Sequence, residues 1–169
     1  MAAGKYYVAT FRWSRMVWIL SIITTIILIG ASMTTLLIPD EETKVGTLIV
    51  MICIVPLPVI CFALSPRRLY LIGDTLIIKR WVGKVTIPTQ AITSVEEADK
   101  WLVLRSTITM GNGGYFGYYG HYYNVHYGKF RMFASEMKDL YLIRTKSRNY
   151  VINCNNKELI AELQNKIKS

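Results

Sequence analysis

Charge is what this chain has least of. Asp, Glu, Lys and Arg make up 18% of its 169 residues, against about 25% in an ordinary soluble domain. The shortage is local. None of the 24 residues between Arg15 and Asp40 is charged, nor any of the 22 between Lys44 and Arg67. Gaps of that length exclude both a simple soluble protein and a disordered one. Cysteine occurs three times, with Cys53 and Cys61 inside the second gap, which excludes a disulfide framework. Histidine occurs twice, at His121 and His126. With Cys154 they lack the further ligands a zinc site requires, so no metal is expected. No Ser-His-Asp, Cys-His or paired-carboxylate arrangement stands out, and no catalytic residue is named. Glu96, Glu97 and Asp99 cluster at a strand end and read as a solvated turn. G-x-x-x-x-G-K-[ST] and G-x-G-x-x-G are both missing, and no cofactor is expected. Nor is there a helix-turn-helix, zinc-finger or RNA-binding signature, so nucleic acid is not an expected partner.

What is present is apolar. Mean hydropathy is +0.29. A bilayer's hydrocarbon core is about 30 Å thick and a helix rises about 1.5 Å per residue, so each uncharged run is long enough to cross. Both are apolar on every face, unlike a surface helix. The first run is far longer than the core of a cleaved leader. Pro56 and Pro58 lie within the second run and are expected to kink it. Lys5, Arg12 and Arg15 precede the first run, and Arg67 and Arg68 follow the second. The connecting stretch carries Asp40, Glu41 and Glu42 against one Lys. Basic residues favour the cytoplasmic side. The expected order is a cytoplasmic segment 1–15, a transmembrane helix 16–39, an extracytoplasmic loop 40–44, a second transmembrane helix 45–66, and a cytoplasmic domain 67–169. The protein is expected to be an integral, multi-pass protein of the cytoplasmic membrane with both termini inside. Trp13 and Trp18 fit an interfacial aromatic belt.

From Arg67 onward the pattern changes to period two. RLYLIGDTLIIKRW reads as two strands joined at Gly73-Asp74. KVTIP and ITSVEEA are a third and a fourth. KWLVLRST is ambiguous between strand and helix, and GGYFGYYGHYYNVHYG reads as a glycine- and tyrosine-rich loop or broken strand. KFRMFAS, DLYLIRTK and NYVINC are three further strands. The chain ends in NKELIAELQNKIKS, with Asn155 or Asn156 as the cap and Leu159, Ile160, Leu163 and Ile167 as an apolar stripe. About seven antiparallel strands followed by one amphipathic helix form the layout of a pleckstrin-homology-like (PH-like) barrel or sandwich capped by that helix. Other small β-barrels share the pattern.

GNGGYFGYYGHYYNVHYGKFRMFAS and LYLIRTKSRNYVINCNNKELIAEL resemble the bacterial PH-domain family. The family's glycine motif falls on Gly111, Gly113, Gly114, Phe116, Gly117 and Gly120, and continues at Gly128 and Phe130. The resemblance spans about Arg67 to Ile167. It implies the PH-like fold behind one or two membrane helices and leaves the biochemical role unassigned. Where the family often has a Ser-Pro turn before the last helix, this chain has Asn153, Cys154, Asn155 and Asn156.

Two sets of residues are candidate contacts. Tyr118, Tyr119 and Tyr122 belong to a run whose rings either pack on the sheet or offer an apolar surface able to hydrogen-bond a protein partner. Lys79, Arg80 and Lys84 flank an early hairpin, where basic residues of eukaryotic PH domains grip lipid headgroups. The plainer account is charge facing solvent or the leaflet. The part from Arg67 on carries 16 Lys and Arg against 8 Asp and Glu, a net +8 suited to an anionic membrane beside it. The expected function is a non-enzymatic, membrane-anchored module that docks a protein or regulates a membrane complex, with a homo-oligomer open. A sensor of anionic headgroups and an accessory subunit of a membrane enzyme or transporter are the alternatives.

Overall fold

The computed structural model describes residues 6–36 and 41–168. A strand comes first: β1, Tyr6–Thr10. The helices α1 (Arg15–Leu36), α2 (Glu41–Ile54) and α3 (Pro56–Leu64) follow. The strands then run β2 (Pro66–Ile72), β3 (Thr75–Arg80), β4 (Lys84–Pro88) and β5 (Ile92–Glu97). A one-turn helix α4 (Lys100–Leu104) separates these from β6 (Thr107–Gly114), β7 (Gly117–Asn124), β8 (Gly128–Ala134), β9 (Leu140–Thr145) and β10 (Asn149–Asn153). Helix α5 (Lys157–Lys168) ends the chain.

Within α1, Arg15–Thr34 has a mean hydropathy of 2.2 and is 17% buried, long and apolar enough to cross a membrane. The second apolar run differs from the expected single helix. Pro56 has no N–H to give and its ring crowds the carbonyl four residues back, so the run divides into α2 of 14 residues and α3 of nine. Val55 between them keeps helical angles, φ −60° and ψ −37°. Residues 41–44, expected as loop, are the first turn of α2, and residues 37–40 lie outside the described residues. Helices α1 and α2 pack against one another.

The strands form two sheets, ordered β1-β2-β3-β4 and β5-β9-β10-β8-β7-β6. Of the expected barrel or sandwich, two sheets are present, and among the described residues no ladder joins them into a closed ring. Nor is every pair antiparallel, since β10 runs parallel to β8. The strand count rises because the glycine- and tyrosine-rich stretch, expected as loop or broken strand, is the hairpin β6–β7. KWLVLRST becomes α4 because Asp99 Oδ1 accepts from Trp101 N at 2.6 Å, capping the turn.

Strand alternation builds the core. Leu69, Leu71, Leu76 and Ile78 of the first sheet meet Phe133, Ile143 and Ile152 of the second. Leu159, Ile160 and Leu163 of α5 complete this core, as the stripe predicts. Asn156, not Asn155, caps α5: its Oδ1 accepts from Leu159 N at 3.2 Å. Val103, Tyr122, Phe130, Met132 and Leu142 form a second core on the other face of the larger sheet.

Candidate functional site: the hairpin held against the apolar helices

The β6–β7 hairpin owes its shape to its glycines. Gly111 and Gly120 stand opposite one another in register. A Cβ on Gly120 would lie 2.4 Å from the Met110 carbonyl oxygen and 2.5 Å from Gly111 Cα. Only two glycines permit that approach. Gly114 and Gly117, at φ +131° and +117°, close a two-residue loop of Tyr115 and Phe116. Phe116 itself has φ 57°, a rare conformation for a bulky side chain.

Asn112 pins this loop from inside. Its Oδ1 accepts from Tyr115 N at 2.9 Å. Its Nδ2 donates to the Tyr115 carbonyl and, at 3.0 Å, to Tyr119 Oη. The Tyr122 hydroxyl donates to the Asn112 carbonyl.

The tip then meets the helices. Phe116 N donates to Ser21 Oγ at 2.9 Å, and that hydroxyl donates onward to the Val17 carbonyl at 2.7 Å. Thr25 Oγ1 donates to the Ser21 carbonyl at 2.7 Å and so is free to accept from Tyr115 Oη, 2.8 Å away. On the other side, the Tyr119 hydroxyl donates to the Cys61 carbonyl of α3 at 2.7 Å. That carbonyl lies in the last turn of its helix, where partners must come from outside. Six rings surround these bonds. Trp13 contacts Trp18, Phe62 and Phe116 with centroids 5.1, 5.7 and 5.6 Å apart. Phe62 stacks on Trp81 at 4.9 Å, and Tyr115 lies 4.7 Å from Phe116. The Arg67 guanidinium covers Trp81 at 4.1 Å. The site's chemistry is adhesive: neutral hydrogen bonds and ring packing fasten the hairpin to the apolar helices.

The tyrosine set divides accordingly. Tyr119 and Tyr122 are 7% and 4% exposed and spend their hydroxyls inside the protein. Burial pushes both phenols well above their ordinary range, so they donate as neutral groups. Tyr118 is half-buried against the second core. Of the three rings expected as a partner surface, two face inward, because alternation along β7 turns them to opposite buried faces of the sheet.

The basic set divides too. Lys79 and Lys84 stand opposite one another across β3 and β4 and are exposed. Arg80 follows Leu76 and Ile78 onto the inner face and is half-buried. Period-two alternation separates it from the two lysines.

Sequence reasoning missed Ser21, Thr25 and Asn112. The first two are hydroxyls inside an apolar run, with no local signal of a distant partner. The third is a single Asn between glycines, whose signal is the turn it supports.

The family model described as bacterial PH domain matches residues 67–167, more than half of the chain. No match was found among curated proteins or among solved structures. The matched residues begin within β2 and end within α5, so β1 and the apolar helices lie outside the match. The glycine hairpin, the strands around it and the terminal helix all lie within it, and the chain belongs to the bacterial PH domain family.

Proposed function

We propose that this chain is a membrane-anchored, non-enzymatic docking module. Its helices α1 to α3 hold it in the cytoplasmic membrane with both termini inside. Its PH-like domain captures a protein partner at the edge of the larger sheet. The observation that carries the reading is the outer edge at β6, the last strand of that sheet. Ile108 and Met110 there are 44% and 76% exposed. Beside them α4 presents Trp101 and Leu104, 66% and 45% exposed. The bulge sets Ile108 with Tyr122 and Met110 with His121, so exposed apolar side chains flank this edge on both faces, and large apolar side chains left exposed together mark an interaction surface.

The platform is built, not frayed. Asp99 caps α4, and Asn124 Nδ2 donates to the Leu102 carbonyl at 2.7 Å. Val103 anchors the turn in the second core. The register shift between Ile108 and Met110 blunts the strand edge against indiscriminate pairing. Side-chain contacts then supply the selectivity, as aromatic and methionine residues do at protein interfaces. Family membership supports the non-enzymatic part, since PH domains are interaction modules.

The test is photo-crosslinking from Met110 or Trp101 in native membranes. A discrete protein adduct is expected from both positions, lost when the other is replaced by Ser, and missing from a probe at Lys79. Adducts of lipid mass alone, or equal yield from Lys79, would overturn the reading.

A further inference from the structure

Two side-chain atoms among the described residues are buried without a hydrogen-bond partner, and both are arginine Nε: Arg80 and Arg131. They come from opposite sheets. Arg80 ends β3 on the inner face, two residues past Ile78. Arg131 lies two residues before Phe133 of the same core, and its guanidinium covers that ring at 5.2 Å. Burial draws the Arg131 guanidinium down from its ordinary range; Tyr150 opposes this, and the positive charges of Arg148 and Arg80 add to it to a lesser degree.

Among the described residues no carboxylate pairs with them. The ion pairs among the described residues are Arg144–Glu96 and Lys166–Asp74, and neither includes these arginines. A half-buried cluster of like charge is costly unless something of opposite charge joins it. Room for that something is present. A cleft of about 470 Å³ opens beside Arg131, lined also by Lys129, Arg148, His121 and Ser147, within the usual size range of small-ligand sites. Arg148 stands on the β9–β10 turn, which Thr145 Oγ1 fixes by accepting from Arg148 N at 3.1 Å. The rim is therefore preset rather than loose.

We propose that this cleft binds a phosphate-bearing anion, with Arg131 as the inner anchor and Arg148 and Lys129 closing over it from the rim. Guanidinium forks match phosphate oxygens in pairs. Several cations with no acid among them favour an anion of more than one charge over a single carboxylate. The cleft lies on the inner side of the larger sheet, reaches β6 at Thr109, and does not include the outward-facing Lys79–Lys84 pair.

The phosphate comes from a soluble compound or from a lipid headgroup, and one experiment separates the two. The full chain is placed in phosphatidylcholine nanodiscs and its unfolding is followed by Trp fluorescence. One arm titrates pyrophosphate against chloride at equal ionic strength. The other replaces a fifth of the lipid with phosphatidic acid. The midpoint is expected to rise in at least one arm: the first identifies a soluble ligand, the second a lipid. Arg148→Ala, at an exposed turn, should weaken the effect at least about tenfold, the size of a lost charge-assisted contact, while the midpoint in chloride should not fall, since one like charge beside Arg131 is gone. Arg131→Gln should abolish it, and where that variant does not fold, Lys129→Ala with Arg148→Ala decides. Replacing Lys79 and Lys84 by Ala should change nothing. A midpoint that responds to neither phosphate would overturn the site, as would a response that survives Arg148→Ala and vanishes without Lys79 and Lys84.

Discussion

Tyr115 and Thr25 stand 90 positions apart in the chain, yet their hydroxyl oxygens are 2.8 Å apart. Thr25 lies well inside the apolar stretch Arg15–Thr34. At about 1.5 Å per residue it sits roughly 15 Å along α1 from its first residue. A β-hairpin tip thus reaches alongside a helix of membrane-spanning character, and its polar groups find partners on that helix.

The bond between these two residues is measurable as a coupling. Tyr115→Phe and Thr25→Val should each lower stability by about 1 kcal/mol, and the double variant by less than their sum. Unfolding of the full chain in detergent checks this. Strict additivity would mean that the hairpin does not touch the helix.

Gly120 allows no side chain. Gly120→Ala places a Cβ against the Met110 carbonyl and Gly111 Cα on the neighbouring strand. A loss of about 3 kcal/mol is expected, in the range of overpacked sites. Gly30, with open space around it in α1, is the control. Gly30→Ala should leave the domain's stability unchanged or slightly higher.

Leu163 is fully buried beneath α5. Leu163→Asp would place an unpaired carboxylate there and should cost several kcal/mol. Circular dichroism of the full chain should show loss of β signal at lower temperature than wild type. An unchanged melt would remove α5 from the core.

Cys154 supplies a pH signature. Burial pushes its thiol up to about 11 from an ordinary 9.0, with the Asn156 backbone contact opposing and the Asp139 charge adding. The unfolded chain loses that proton first as pH rises. Stability is therefore full below about pH 9 and falls between pH 9 and 11, by about 2 kcal/mol from this group. Cys154→Ala should flatten that part of the slope. Denaturant titrations at pH 8, 9.5 and 11 compare the two, and identical slopes would refute it.

Topology is checked with a chain whose native cysteines are replaced by Ala. A cysteine at position Thr43 should react with an impermeant thiol reagent applied to intact cells, and one at Ser169 should not. The opposite pattern would place the domain on the other side of the membrane.

Much of the fold is legible in the sequence because its signals are local. Charge gaps mark the apolar helices, period-two patterns mark β2 to β5 and β8 to β10, and a 3.6-residue stripe marks α5. What is not legible depends on distant partners. YYVAT is five residues long, and nothing within it says that Val8 will pair with Tyr70 across the helical segment. The glycines at 111, 113, 114, 117 and 120 look like a flexible loop until Gly111 is set against Gly120, when each becomes the condition for a close ladder. Asp99 before Lys100 and Trp101 was a readable cap for α4. Arg80 was misplaced with Lys79 and Lys84 because proximity in sequence hides opposite faces of a strand. The tyrosines were ambiguous for the same reason, since only the register shows which rings turn inward.

Strand β1 precedes the apolar helices and β2 follows them, yet the two are neighbours in one ladder. The helical segment is thus an insertion into a strand pair, fixed at both ends. Only four residues separate Thr10 from Arg15, and one separates Leu64 from Pro66. Those short joints are themselves tied down: Phe11 N donates to the Arg67 carbonyl at 3.1 Å, and Ser135 Oγ donates to the Arg12 carbonyl at 2.8 Å. With no slack at either joint and a third fastening at the hairpin tip, torque applied to the helices turns the sheets with them. Load on the domain travels back along the same path, so helices and domain behave as a single lever rather than as a float on a tether.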